Sequence, residues 1–241
     1  MPRSLLIVTG GSSGIGRALL DACPDAEARK IDISRSGGAD VALHLKADLS
    51  EPASWREASR LLANELSGFD GERVVFFHSA GTLDPIGFAG EVDSEAYTRN
   101  VILNSAAPQV LGDAFLHAAS GTQAKCFLVM IGSGAASSVY EGWSSYCGGK
   151  AAVDQWVRTV GAEQKRRGGR VQVLSVAPGI VETAMQERIR QTSKRDFPEV
   201  NRFVELHEGG DLRDPKVVAG ELWSLIGKDL ENGSVLDLRD V

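Results

Sequence analysis

The chain has 241 residues, of which 43% are hydrophobic and 24% are charged, a composition typical of one globular domain. Acidic residues outnumber basic ones by 32 to 26 and no long Lys/Arg block occurs, which argues against a nucleic-acid partner. No apolar run is long enough to cross a membrane, and the N-terminal apolar segment is too short for a signal sequence, so we expect a cytoplasmic protein without a membrane partner. The three cysteines lack paired metal-ligand spacing, which predicts free thiols and no metal site.

Short apolar runs alternate along the chain with longer amphipathic segments. The runs predict seven strands, at 4–10, 28–34, 41–47, 73–79, 124–133, 170–178 and 234–238. Helical spacing predicts helices at 51–67, 92–119, 145–167 and 214–227. Near-continuous apolar strands separated by helices indicate a parallel sheet covered on both faces. The predicted fold is α/β, a single-domain doubly wound Rossmann fold with a seven-stranded parallel sheet and a ligand site at the carboxyl ends of its strands.

Residues 184–212 are polar, lack a clear strand and form the longest interruption of this pattern. An insertion of that length at the ligand-binding edge of a sheet is more often a lid than a spacer. We therefore predict a single domain over 1–241, with a substrate lid at about 184–212.

A glycine-rich turn, "TGGSSGIGRA", directly follows the first predicted strand. A P-loop requires Lys and then Ser or Thr after its last glycine, but Arg17 and Ala18 stand there. A dinucleotide-binding turn requires small residues that let backbone N–H groups and a helix N-terminus approach a pyrophosphate, and Gly10, Gly14 and Gly16 provide them. The turn favours a dinucleotide site, with a purely structural strand-to-helix turn as the alternative.

Tyr146 and Lys150 lie four residues apart in a predicted helix, so they project from the same face. A nearby ammonium group stabilises a phenolate, so Lys150 is expected to lower the pKa of Tyr146 from its usual value of about 10. Because such a pair also arises by chance, it is not diagnostic by itself.

In the order of its motifs, the sequence resembles the short-chain dehydrogenase/reductase family over nearly the whole chain. The resemblance rests on "TGGSSGIG" at 9–16, "ADL" at 47–49, "HSAG" at 78–81, Asn104, Ser133, "YCGGK" at 146–150 and "PGIVET" at 178–183. One departure is that His78 and Ser79 stand where the family usually has two asparagines. We expect His78 to be buried and hydrogen-bonded, not catalytic.

The resemblance implies hydride transfer from a nicotinamide to a carbonyl carbon. Tyr146 would donate the proton, Ser133 would bind the substrate oxygen, and Lys150 would tune Tyr146 and bind the nicotinamide ribose. Gly148 and Gly149, which lie between the tyrosine and the lysine, would make room for the cofactor.

The fourth predicted catalytic residue is Asn104. By the same resemblance, its main-chain carbonyl would hold a water that links Lys150 to solvent. Pro108 lies four residues later and has no N–H to bond this carbonyl. We therefore predict a kink at 104–108 and an Asn104 carbonyl that is free to bind the water.

The end of the second strand bears on the choice between NAD and NADP. An acidic residue there selects NAD, whereas an arginine accepts the 2′-phosphate of NADP. By resemblance the discriminating position falls at Ser34, which places Asp32 inside the strand and Arg35 just beyond it. Ser34 leaves room for a phosphate that Arg35 and Ser36 can bind, so we predict NADP(H). A solvated Arg35 without a ligand is the alternative.

Further cofactor contacts follow from the resemblance. Asp48 would bind the adenine ring, the backbone of Ala80 and Gly81 would line the cofactor, and Thr183 would hold its carboxamide. The complete predicted NADP(H)-binding set is Gly10, Ser12, Ser13, Gly14, Ile15, Gly16, Ser34, Arg35, Asp48, Leu49, Ala80, Gly81, Tyr146, Lys150, Pro178, Gly179, Val181 and Thr183.

Within the family, segments such as "YEGWSSYCGGKAAVDQW" are most similar to sepiapterin reductases and bacterial benzil reductases. This similarity implies an aromatic or α-dicarbonyl ketone as the substrate. Trp143, three residues before Tyr146, and Met185 in the lid are candidates for an apolar wall, with plain core positions as the alternative. The alternatives are a 3-oxoacyl or general alcohol dehydrogenase, and a regulator that senses NADPH without reducing a substrate. By resemblance we expect a homodimer formed by the helices 92–119 and 145–167.

Overall fold

Seven apolar segments form one parallel sheet, as the sequence predicts. In the computed structural model, which describes residues 2–240, the strands are β1 (Ser4–Thr9), β2 (Arg29–Ser34), β3 (Leu43–Lys46), β4 (Arg73–His78), β5 (Lys125–Ile131), β6 (Val171–Ala177) and β7 (Val235–Asp237). Their order is β3-β2-β1-β4-β5-β6-β7, and every neighbouring pair is parallel. The direction of winding reverses between β1 and β4, which opens a crevice at the carboxyl ends of these strands.

Helices connect most of the strands. Within residues 2–240 they are α1 (Gly14–Asp21), α2 (Pro52–Leu66), α3 (Ser94–Val101), α4 (Ala107–Ala119), α5 (Ser144–Arg167), α6 (Ala184–Arg190), α7 (Val200–Glu208) and α8 (Pro215–Leu225). The start of α8 is capped by the Asp214 carboxylate, which accepts a hydrogen bond from the Lys216 N–H at 2.7 Å. In the described part of the chain, no helix combines the length and the apolar character that a membrane span requires.

Neighbouring residues of the central strand β4 pack into opposite layers of the domain. The ring of Phe76 contacts Phe115 of α4 with centroids 5.4 Å apart, and the ring of Phe77 contacts Trp223 of α8 at 5.2 Å. Accordingly, α2, α4 and α5 cover one face of the sheet, and α1 and α8 cover the other. Because both faces are covered, both odd and even positions of the strands are apolar, which is why the strands read as continuous hydrophobic runs.

The single helix predicted over 92–119 is interrupted. α3 passes into a π-helical turn, Ile102–Ala106, before α4 begins. In this turn the N–H of Ala107 bonds to the carbonyl of Ile102, five residues back. Pro108 then lies in the first turn of α4, where a missing N–H is tolerated. The irregularity therefore lies at 102–106, slightly before the kink predicted at 104–108.

The predicted lid region, 184–212, is fully described and contains α6 and α7 but no strand. A parallel bridge between Val181 and Arg213 joins the two ends of this segment. Its helices cover a third apolar cluster, separate from the two sheet layers, which includes Trp143, Phe197 and Phe203. The segment is thus a packed cap over one end of the crevice.

Candidate active site

A cavity of about 900 Å³ lies at the carboxyl ends of the strands. Its volume is within the range of roughly 300–1,000 Å³ that is usual for ligand pockets. Most of the residues predicted from the sequence line it, namely Gly10, Ser12, Ser13, Gly14, Ile15, Ser34, Arg35, Asp48, Leu49, Ala80, Gly81, Ser133, Trp143, Tyr146, Lys150, Pro178, Gly179, Val181, Thr183 and Met185. Gly16 and Asn104 lie directly behind the lining. Ser36, predicted as a second phosphate ligand, is also outside the lining.

The glycine-rich turn between β1 and α1 forms one wall of the cavity. Gly10 has a φ of 72°, in the left-handed region that favours glycine. A Cβ atom at Gly10 would lie 3.0 Å from the Ala80 backbone, so the close approach of the two loops also requires glycine. Gly16 packs against the Gly10 carbonyl with no space for a side chain, which keeps the turn closed. The N-terminus of α1 therefore meets the cavity, an arrangement suited to a pyrophosphate.

The Asp32 carboxylate joins the glycine-rich turn to β2 by hydrogen bonds. Its fully buried carboxylate accepts hydrogen bonds from the Gly11 N–H at 2.9 Å and from the Ser34 hydroxyl at 2.6 Å. Asp32 is not part of the cavity lining, whereas Ser34 and the exposed Arg35 are. The charged side chain that reaches the cavity at the end of β2 is therefore the positive Arg35 and not the negative Asp32.

Asp48 follows β3 and lines the same end of the cavity. One oxygen of its carboxylate accepts hydrogen bonds from the Ser50 N–H at 2.9 Å and the Ser50 hydroxyl at 2.7 Å. Burial acts to raise the pKa of Asp48, but these hydrogen bonds and the charges of Arg35 and Arg99 together lower it below its ordinary value. Asp48 is therefore a fixed anion with one oxygen left for a ligand.

Ser133, Tyr146 and Lys150 converge on the cavity from β5 and α5. The Ser133 side chain, just after β5, accepts a hydrogen bond from the Ala135 N–H at 3.2 Å, which fixes its position. The Lys150 ammonium lies 5.7 Å from the centroid of the Tyr146 ring and donates to the Ile131 carbonyl at 2.8 Å. The hydrogen bond to Ile131 ties the helix to the end of β5, so the three polar groups are held on one side of the cavity.

The pKa values of this pair differ from the simple expectation. Burial raises the pKa of Tyr146, and the neighbouring Ser133 side chain only partly opposes the rise. The pKa of Tyr146 therefore lies above its ordinary value and not below it, as was expected from the neighbouring Lys150, because the phenol is buried. Burial also lowers the pKa of Lys150 to about 8, although the Asp154 carboxylate acts in the opposite direction.

Asn104 lies in the π-helical turn and is buried behind the cavity wall. Its side chain donates to the Thr82 carbonyl at 2.7 Å and accepts from the Thr82 N–H at 3.1 Å, which fixes the loop after β4. A Cβ atom at Gly81 in this loop would lie 2.9 Å from the Asn104 side-chain oxygen and 3.8 Å from the Lys150 nitrogen. Asn104 and Lys150 therefore meet at the same loop. The water on the Asn104 carbonyl stays a prediction.

The two glycines between Tyr146 and Lys150 have different environments, and neither lines the cavity. A Cβ atom at Gly149 would lie 2.9 Å from the Cβ of Asn104, so this glycine permits the close packing of α5 on the π-helical turn. A Cβ atom at Gly148 would meet nothing within 4 Å. The expectation that both glycines make room for the cofactor is therefore wrong, because Gly149 serves helix packing and Gly148 faces open space.

His78, at the end of β4, is buried as expected. Neither of its ring nitrogens has a protein hydrogen-bond partner among residues 2–240, so no protein group makes the predicted hydrogen bond there. The ring packs against the edge of Phe76, with centroids 6.2 Å apart. Burial, helped by the charge of Lys150, lowers the pKa of His78 to about 3, so the imidazole is neutral at physiological pH.

Aromatic side chains line the end of the cavity that lies away from the glycine-rich turn. Trp143 stacks on Phe197 with centroids 4.4 Å apart and meets the edge of Tyr146 at 5.9 Å. Tyr140 and Phe203 complete the group and also line the cavity. Trp143 and Met185 thus belong to one apolar cluster beside the cavity, and their contact with a substrate stays a prediction.

Several residues that line the cavity were missed by the sequence analysis, among them Arg99, Tyr140 and Phe203. Arg99 is one of several exposed helical arginines and carries no motif. Phe203 could have been found, because Val200, Phe203 and Val204 show helical spacing inside the polar segment 184–212 and predict a buried face there.

Comparisons with known proteins agree with this geometry. A sequence model described as "short chain dehydrogenase" matches residues 4–194. Benzil reductase ((S)-benzoin forming) of Bacillus subtilis is 35% identical over 98% of this chain and 98% of that protein, and sepiapterin reductase of Meriones unguiculatus is 30% identical over 98% and 97%. Among solved structures, the KRED1-Pglu enzyme superposes with a TM-score of 0.80 at 26% identity, covering 96% of this chain and 99% of that one. With the glycine-rich turn and the Ser133, Tyr146 and Lys150 group on one cavity, these matches establish that the chain belongs to the short-chain dehydrogenase family of oxidoreductases.

Proposed function

We propose that the protein is an NADPH-dependent reductase that converts a ketone to an alcohol. The observation that carries this proposal is that Ser133, Tyr146 and Lys150 line the cavity that the glycine-rich turn also lines. A protein that only sensed NADPH would need the glycine-rich turn but not these three side chains. The arrangement therefore favours an enzyme over a sensor.

A bound nicotinamide supplies hydride to a carbonyl carbon, and this chain's own residues act on the carbonyl oxygen. The Ser133 hydroxyl would hold that oxygen, and Tyr146 would transfer its phenolic proton to it. Because burial raises the pKa of Tyr146, the phenol is protonated at neutral pH and available as a donor. Lys150, 5.7 Å from the ring, would stabilise the tyrosinate that remains. Asn104 would hold the water through which a proton returns.

NADP(H) is proposed because of the groups at the end of β2. Asp32 is hydrogen-bonded to Gly11 and Ser34 and lies outside the cavity lining, so it is not available for a ribose hydroxyl. Arg35 lines the cavity beside the small Ser34, where a guanidinium would bind a 2′-phosphate. Arg99 adds a second positive charge near Asp48. Together these groups suit the phosphorylated dinucleotide better than the unphosphorylated one.

An aromatic or α-dicarbonyl ketone is proposed as the substrate. The side chains of Tyr140, Trp143 and Phe203 line the cavity next to Tyr146, so a flat apolar group would find stacking partners beside the reacting carbonyl. The benzil reductase relative, by its name, forms (S)-benzoin from benzil, which has this chemistry. We propose that α6 and α7 act as the lid over this end, since Met185 and Phe203 line it from those helices.

A homodimer is proposed through α3, α4 and α5. Val101 and Val110 are exposed apolar residues on the first two of these helices, and burial against a second copy would remove them from water. Sedimentation equilibrium would test this, with particles of two chains expected and a single-chain particle contradicting it.

The activity is tested by incubating the purified protein with NADPH or NADH and each of benzil, sepiapterin, an acetoacetyl thioester and a simple aliphatic ketone. We expect oxidation of NADPH with benzil or sepiapterin at the highest kcat/KM, and a much lower value with NADH. Highest turnover with the thioester or the aliphatic ketone would contradict the substrate proposal. NADPH binding without its consumption in any mixture would favour the sensor.

A further inference from the structure

Asp154 is a buried carboxylate on α5, one helical turn beyond Lys150. It is only 7% exposed, and one of its oxygens accepts a hydrogen bond from the Ser175 hydroxyl of β6 at 2.6 Å. Burial of a charged group costs free energy unless other groups compensate it. A carboxylate at this position therefore calls for a specific electrostatic partner.

The sheet places Asp154 and Lys150 beside the same strand ends. Ser175, which binds Asp154, pairs in register with Met130 of β5. Lys150 donates to the carbonyl of Ile131, the residue after Met130. The carboxylate and the ammonium are thus anchored on adjacent strands, each by a hydrogen bond to the sheet, and they are not in direct contact. Any influence of one on the other acts through space.

Few other charges face this pair. His78 approaches from β4 and is neutral, Tyr146 lies on the preceding turn of α5, and the exposed Arg158 lies on the following turn. The π-helical turn contributes Asn104 and β6 contributes Ser175, both of which are uncharged. Among these groups, Asp154 is the one whose charge raises the pKa of Lys150. Burial raises the pKa of Asp154 itself, and its hydrogen bond from Ser175 and the charges of Arg158 and Lys150 act to lower it, which favours the carboxylate.

We infer that Asp154 is a positioning residue whose negative charge keeps Lys150 protonated at the pH at which the enzyme works. The inference rests on the proposed function, because Lys150 must be cationic to stabilise the tyrosinate of Tyr146. Burial of Lys150 favours the neutral amine, and the negative charge of the buried carboxylate one helical turn away acts in the opposite direction. With the pKa of Lys150 at about 8 even with Asp154 present, loss of the carboxylate would leave much of the lysine uncharged near neutral pH.

The direct test measures the pKa of Lys150 in the protein without cofactor, by competitive acetylation with acetic anhydride at a series of pH values and mass spectrometry of the Lys150 peptide. Asp154→Asn removes the charge and keeps an oxygen that can accept from Ser175. We expect it to lower the pKa of Lys150 by about 1 unit, since an opposite charge at short range shifts a pKa by this order.

Two control variants separate the charge from the contact. Ser175→Ala removes the hydroxyl donor and leaves the carboxylate, so the pKa of Lys150 is expected to remain within error of the wild type. Glu163→Gln removes one negative charge from an exposed position of the same helix, and we expect no change there either. An unchanged pKa in Asp154→Asn, or equal shifts in Asp154→Asn and Ser175→Ala, would overturn the inference.

The pH profile of kcat/KM gives a second measurement. In Asp154→Asn the loss of activity toward high pH is expected to begin at a pH lower by a similar amount, with the maximal rate at lower pH largely retained. A uniform loss at every pH would indicate a structural role and contradict the inference. Should the asparagine variant fail to fold, Asp154→Ser removes the same charge with a smaller side chain. Absence of turnover in the wild type would refute the proposed function, whereas the labelling result stands independently of it.

Discussion

The two ends of the cavity are built in different ways. The end that we propose to hold the nucleotide, here called the nucleotide end, consists of segments at the carboxyl ends of β1, β2 and β3, where Gly10, Ser34 and Asp48 lie within short motifs. The end that we propose to hold the substrate, the substrate end, consists of aromatic side chains from the loop before α5 and from the segment 184–212, such as Trp143 and Phe203. The shape of the first end depends on local backbone geometry, and that of the second on packing between distant segments. Substitutions at the two ends should therefore change different quantities, namely the KM for NADPH at the nucleotide end and the kcat/KM for the ketone at the substrate end.

Tyr146 stands where the two ends meet, and its substitution is expected to have the largest effect. Tyr146→Phe removes the phenolic proton donor and keeps the ring that contacts Trp143. We expect kcat to fall by about 1,000-fold, within the range for loss of a general acid, while the dissociation constant for NADPH changes little. Steady-state kinetics and cofactor fluorescence titration measure the two quantities.

Tyr97→Phe is the matched control, since Tyr97 bonds the Ser144 hydroxyl at 3.2 Å and does not line the cavity. Its turnover should equal that of the wild type. Substantial turnover in Tyr146→Phe would contradict the proton-donor role.

Gly148 and Gly149 of α5 provide a comparison within a single helix. Gly149→Ala would force a Cβ atom to within 2.9 Å of Asn104, and overpacking of this kind typically costs about 1–3 kcal/mol. Gly148→Ala meets no atom within 4 Å and gains helix propensity, so it should stabilise the protein by about 1 kcal/mol. Thermal unfolding should show a lower Tm for the first variant and a higher Tm for the second. Equal effects of the same sign would contradict the assignment of Gly149 to helix packing.

At the substrate end, Phe203→Leu keeps an apolar residue but removes the aromatic face. We expect kcat/KM for benzil to fall by about 10-fold, the value of one aromatic contact, with NADPH affinity unchanged. Phe115→Leu, in the core between α4 and β4, imposes a comparable packing change away from the cavity and should leave kcat/KM unchanged. Equal losses in the two variants would mean that stability, not substrate contact, determines the result.

At the nucleotide end, Arg35→Ala should show the converse pattern. We expect KM for NADPH to rise by about 10-fold through loss of a charge-assisted hydrogen bond, with KM for NADH nearly constant. Arg60→Ala, an exposed arginine of α2 outside the cavity lining, removes the same charge and should change neither value. Retention of the full preference for NADPH in Arg35→Ala would refute the assignment of the phosphate site.

The sequence by itself determined the order of elements and the nucleotide end of the site. The seven strands and their parallel sheet followed from apolar runs and helical spacing, because a strand buried on both faces has few polar positions. The glycine-rich turn and the Tyr146 and Lys150 pair are short motifs, so their relative placement depends on local geometry that a sequence displays directly. The same local reasoning placed Asp32 inside β2 and Arg35 beyond its end.

Tertiary structure decided what depends on contacts between segments that are distant in the chain. That Gly149 is required by Asn104, that Phe203 joins Trp143, and that His78 lies without a hydrogen-bond partner among the described residues all follow from packing across elements. The direction of the pKa shift of Tyr146 was wrong at the sequence level for the same reason. Helical spacing revealed the neighbouring ammonium, whereas the burial that raises the pKa of Tyr146 is a property of the assembled fold.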